Sequence, residues 1–212
     1  MKKTFVSISI LLFTFIFSVG NIFGNYPISV GPYIGLKGGV NAADVPQGTY
    51  NGFAFASLPE MGVSSYFPFV EKSLFGGGLN LSYSTDGFLT ELNNIKSTHQ
   101  YNFFKLSPYL YASGFILGIN IGIPLGGTDE AQNNETDIES DKFSTAIDIK
   151  IGGVITVFAN ETGRFNIVIE GSYSLSGILK DKYSNNEYNY HPGQMWVGLN
   201  YMFNVQKPVA EE

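Results

Sequence analysis

Apolar residues recur at every second position over long stretches of this chain, and that period restricts it to strands with one greasy face. The clearest run is 164–177, where Phe165, Ile167, Ile169, Tyr173 and Leu175 share one face and Asn166, Glu170, Ser172, Ser174 and Ser176 the other. Along 143–157, Ile147, Ile149, Ile151, Ile155 and Val157 oppose Ser144, Asp148, Lys150 and Thr156. Along 115–123, Phe115, Leu117, Ile119, Ile121 and Ile123 are set against Gly118, Asn120 and Gly122. Segments 28–40, 60–69, 75–90, 102–112 and 193–203 carry the same pattern more loosely. That makes about eight strands, an even number, so an antiparallel sheet can close its last strand on its first and leave no edge.

The breaks between these segments alternate in length. Residues 70–74, 113–114 and 160–163 make short turns, whereas 41–59, 91–101, 124–142 and 178–192 leave long connections. Short turns at one end and long loops at the other are how outer-membrane barrels are built, with the long loops outside the cell. The expected fold is therefore all-β, an eight-stranded antiparallel up-and-down transmembrane β-barrel over 28–203. Composition agrees: charged residues are 14% of the chain against roughly 25% in soluble proteins, while aromatics reach 15% and glycines number 25. A mean hydropathy of +0.06 is far too low for a bundle of membrane helices, and alternation hides in such averages.

The first residues read as a leader. Lys2 and Lys3 precede an apolar run from Phe5 to Val19, followed by the small pair Ser18 and Gly20. This is a signal-peptide pattern with cleavage expected after Gly20, or after Gly24 as second choice. The run is shorter than the ~20 apolar residues that a helical span needs. A net charge of −6 without a basic run excludes sequence-independent nucleic-acid binding, which relies on many Lys and Arg side chains. With no cysteine, there is no disulfide framework, thiolate metal site or acylated lipoprotein residue.

The segment Trp196-Val197-Gly198-Leu199-Asn200-Tyr201-Met202-Phe203 is the most specific motif of the mature chain. Gly198, Tyr201 and Phe203 match the terminal-strand signal of bacterial outer-membrane proteins, which implies recognition by the barrel assembly machinery. Trp196 departs from the polar residue usual at the first place, and a short polar tail, 204–212, follows. The chain also resembles the PorT-like outer-membrane β-barrel family and the small OmpA/OmpX-type barrels. That resemblance rests on Gly31-Pro32-Tyr33-Ile34-Gly35-Leu36-Lys37-Gly38-Gly39, on 77–84 (Gly77 to Ser84), and on Leu106-Ser107-Pro108-Tyr109-Leu110-Tyr111. It implies a barrel and no shared catalytic residues, and one branch of the family implies a part in protein secretion.

If the greasy faces meet lipid, the opposite faces carry an interior charge network of Lys37, Glu60, Lys105, Asp148, Lys150, Arg164 and Glu170. Eight strands enclose only enough room for side chains. The expectation is a plugged lumen of paired charges, with a narrow conductance as the alternative. No cofactor, metal site or catalytic group is expected. His99 and His191 are placed in or beside long outer loops, with Ser97 and Ser184 nearby, so a lipid-modifying enzyme is weighed and set aside for want of a nucleophile elbow. The acidic stretch 128–141 carries Asp129, Glu130, Glu135, Asp137, Glu139 and Asp141; it reads as solvated, since EF-hand spacing is absent. Tyr183, Tyr188 and Tyr190 suit either an aromatic girdle or a binding loop. The expected partners are outer-membrane lipid, the assembly machinery, and an extracellular ligand or protein met by the long loops. The expected role is structural or one of surface interaction, without catalysis. A soluble periplasmic lipocalin-like barrel would use the same alternation with its faces exchanged.

Overall fold

A computed structural model describes residues 27–69, 74–132, 134–180 and 189–205. The expected leader, most of the polar tail and residues Tyr183, Ser184 and Tyr188 lie outside them. Eight strands form the ring: β1 (Ser29–Asn41), β4 (Glu60–Pro68), β5 (Phe75–Leu92), β6 (Ile95–Ala112), β7 (Phe115–Ala131), β9 (Ala146–Ala159), β10 (Gly163–Ser174) and β11 (Pro192–Asn204). Each pairs antiparallel with its neighbour, and β11 returns to β1 from Ser29↔Asn204 to Asn41↔Pro192. The chain is an eight-stranded antiparallel β-barrel.

The register fixes its shape. Following partners around the ring from Ser29 leads to Tyr66, Gly78, Tyr109, Gly118, Lys150, Ser172, Gln194 and back to β1 at Gly39. One circuit thus climbs from 29 to 39, a stagger of ten residues. With ~3.3 Å per residue and ~4.8 Å between strands, ten residues over eight strands tilt them about 40° from the axis, inside the range for such barrels.

Apolar side chains stand outside. Leu36, Val63, Leu81, Leu106, Leu117, Ile151 and Val197 are exposed, one on each strand of the ring but β10, which presents Tyr173. On β9 the exposed belt runs from Ile147 to Val157, ten steps of ~3.3 Å that span about 25 Å along the axis at this tilt. The lipocalin-like arrangement, apolar inside and charged outside, is the reverse of what the strands adopt.

The long connections are the main departure from the sequence expectation. Residues 91–101 are not a loop, because β5 runs to Leu92 and β6 starts at Ile95. Asn93 and Asn94, at φ 51° and 65°, turn the chain in two residues, the left-handed pair that matches strand twist. At the opposite end Ser113 and Gly114, at φ 49° and 94°, repeat the device. Likewise 124–142 continues β7 to Ala131 and folds back as β8 (Asn134–Ile138) before the one-turn 3-10 helix Ser140–Lys142. Within 41–59, β2 (Thr49–Gly52) pairs with β5 and β3 (Ala54–Phe55) pairs with β1 at Gly38 and Gly39. These strands raise the wall beyond the apolar belt.

Candidate functional site: the lumen and its mouth

Inward-facing residues form three layers along the axis. At the short-turn end Tyr33, Tyr66, Tyr109, Tyr111, Ile116, Val168, Trp196 and Met202 pack together. Trp196 meets Tyr33 edge-on at 5.7 Å and Tyr66 meets Tyr111 at 5.4 Å. Gly35 and Gly198 make room for the indole, since a Cβ on either would overlap its ring. Arg164 lies 4.8 Å over the Tyr66 ring, capping the layer with a cation. The cavity left here is about 40 Å³, room for a few water molecules and no solute.

The middle layer is ionic. Lys37 bonds Asp86 and, at 3.3 Å, Glu60, while Lys105 bonds both Asp86 oxygens at 3.0 and 3.1 Å and Asp148 at 3.1 Å. Asn120 adds a bond to Asp148 at 3.3 Å, Ser84 donates to Glu60 at 2.7 Å, and Lys150 reaches Glu170 at 3.5 Å. Of the residues expected in an interior network, Lys37, Lys105, Asp148, Lys150 and Arg164 are buried, and Glu60 and Glu170 are their partly buried neighbours. Six of them lie in this layer, and Arg164 sits apart in the aromatic one. Asp86, 2% exposed, was not anticipated. With it, the described residues of this interior include four cations (Lys37, Lys105, Lys150, Arg164) and four carboxylates (Glu60, Asp86, Asp148, Glu170).

The third layer closes the other end. Phe88, Tyr101, Phe103, Phe143, Ala146 and Ile178 are buried together, with Tyr190 packed against them. Backbone bonds fasten the connections over this cluster, from Ser144 N to Ile178 O at 2.8 Å and from Ile178 N to Tyr190 O at 3.1 Å. Tyr190 is 4.9 Å from both the Phe88 and His99 rings, so it belongs to this core rather than to a girdle or a binding loop. Burial, reinforced by the Asp129 carboxylate, pushes its phenol up to about 12.

His99 lies in β6, not in a loop, and is buried. Its Nδ1 bonds Asp129 at 2.7 Å, its Nε2 meets Thr90 Oγ1 at 2.9 Å, and its ring stacks on Phe88 at 4.8 Å. Hydroxyl, imidazole and carboxylate stand in the order hydrolases use, with Thr90 rather than Ser97 as the hydroxyl and the ring buried against Phe88. This line of bonds ties β5, β6 and β7 together. His191 bonds the Ser174 carbonyl at 3.0 Å and stacks on Tyr173 at 6.5 Å. The acidic residues 128–141 lie on the β7–β8 hairpin and the turn after it; among the described residues no three metal-ligating side chains converge.

Two solved bacterial proteins are similar. The attachment invasion locus protein Ail of Yersinia pestis, solved in complex with the heparin analogue sucrose octasulfate, is 17% identical, with 86% of this chain and 100% of that one covered at a TM-score of 0.38. The outer membrane protein OprG from Pseudomonas aeruginosa is 13% identical, with 86% and 97% covered at a TM-score of 0.30. No family model matches the chain, so the resemblance to the PorT-like family has no such support. No curated protein matches either. The barrel stands on its own closed register.

Proposed function

We propose that the protein is a bacterial outer-membrane barrel whose lumen is permanently closed and whose work is done, without catalysis, on the surfaces it presents outside the cell. The observation that carries this reading is the apolar belt of about 25 Å, the height of the outward band on such barrels, around an interior where buried lysines meet carboxylates. A water-soluble barrel has no reason to expose Leu36, Ile151 and Phe203 while burying Lys37 and Lys105. The long-connection end then faces outward, and the raised wall of β2, β5, β6, β7 and β8 is the part available to an extracellular ligand or protein. Gly198, Tyr201 and Phe203 are assigned to recognition by the assembly machinery, with Tyr201 and Phe203 in edge contact at 4.7 Å. A component of a secretion apparatus remains only the implication of a sequence resemblance.

Membrane fractionation with heat-modifiable gel mobility tests the reading. The expected result is an outer-membrane band that migrates faster unheated than boiled. A soluble periplasmic band overturns it.

A further inference from the structure

Most glycines of this wall are needed where they stand: a Cβ on Gly31, Gly62 or Gly78 would run into the adjoining backbone. Gly171 and Gly193 are different. They follow the outward parity of Ile169, Tyr173, Met195 and Val197, neither has a positive φ, and a Cβ would meet nothing closer than 4.0 Å at Gly171 and nothing at all at Gly193. Glycine inside a strand weakens it, and one that neither turn nor packing demands marks a close approach by something else.

The two lie diagonally across β10 and β11, as Gly171 pairs with Met195 and Gly193 with Tyr173. They floor a groove of about 580 Å³ on the outer wall, lined also by Ile149, Ile151, Tyr173, Met195, Val40 and Phe53. Phe53 lies against Gly38. Lys150 and Gln194 also border it, but both are buried with their hydrogen bonds inside the lumen, to Glu170 and to the Gly87 carbonyl. The groove continues the apolar belt at its long-connection end, where Tyr173 and His191 stack. A peptide strand cannot add here, because β10 is paired with β9 and β11 on its two sides and β11 with β10 and β1.

We infer that this groove is a lipid site that seats one acyl chain of an outer-leaflet lipid, its polar end toward Tyr173 and His191. The inference rests on the membrane reading above. It is tested on the full-length protein in vesicles of phosphatidylethanolamine and phosphatidylglycerol doped with a phosphatidylethanolamine bearing a diazirine in its acyl chain. After irradiation, cross-links are mapped by mass spectrometry. Labelling of Tyr173, Met195 and Ile151 is expected several-fold above that of Leu81 and Leu106 on the opposite wall. Gly171→Leu and Gly193→Leu should each lower groove labelling to that background while leaving the opposite wall and the heat-modifiable mobility unchanged. Even labelling around the wild-type belt overturns the site, as does undiminished groove labelling in both folded variants. Copy-to-copy cross-links through Met195 would make a second barrel the occupant and overturn the acyl chain. Absence of label from every belt residue fails the membrane reading itself.

Discussion

Replacing Lys105 by Met probes the ionic layer most directly. The ammonium is 1% exposed and makes three bonds, two to Asp86 and one to Asp148. Methionine keeps most of the stem's volume but leaves two carboxylates short of a cation, with Asp86 retaining only Lys37 and Asp148 only Asn120. Removing one member of a buried ion cluster costs about 3–5 kcal/mol, chiefly through the uncompensated charge left behind. With a urea slope of ~2 kcal/mol per molar, the unfolding midpoint should fall by about 2 M. Urea titration in lipid vesicles can follow the single tryptophan of the chain, Trp196, which is buried below this layer. Lys105→Met combined with Asp148→Asn should recover part of the loss, because one orphaned charge disappears with its partner. A single-variant cost below about 1 kcal/mol, the range of exposed pairs, would refute the dry ionic layer.

Gly198→Val places a branched side chain in the Trp196 ring and against the Ile34 carbonyl; an overpacking cost of about 1–3 kcal/mol is expected, read as a lower fraction of the compact gel form. Reconstituted in planar bilayers, the wild-type protein should pass no sustained porin-sized current, since aromatic layers close both ends of the ionic one; such currents would refute the closed lumen. Because Tyr190 ionises at about 12 in the folded protein against an ordinary value of 10, the protonated phenol stabilises the mouth fully below pH 10. That contribution is lost as pH rises to 12. Amide exchange at Ser144 and Ile178 should accelerate over this window beyond its intrinsic pH trend, and Tyr190→Phe should abolish the excess.

The eight strands of the ring were legible because lipid and lumen sort side chains one by one, as on β9, where Ile147, Ile149 and Ile151 alternate with Asp148 and Lys150. Above the belt that contrast vanishes. The run Lys96-Ser97-Thr98-His99-Gln100 has no apolar face, so a paired strand there resembles a loop; the adjacent asparagines Asn93 and Asn94, which tolerate the left-handed φ of a tight turn, are the signal that could have told them apart. Asp86 was within reach too, since it continues the inward parity of Ser82 and Ser84. The aromatic layers were not. Tyr33, Tyr66, Tyr109 and Trp196 come from four strands, and only the ten-residue stagger, a property of the closed ring, decides that they meet.

That stacking has a consequence for how the barrel feels its surroundings. Screening by dissolved ions acts on charges that water can reach and leaves buried pairs nearly untouched. Here Lys37, Asp86, Lys105 and Asp148 are shut between Trp196 and its neighbours on one side and Phe88, Tyr101 and Phe143 on the other. The urea midpoint of this barrel should therefore shift little between dilute buffer and molar salt, where a barrel held by exposed pairs would lose stability.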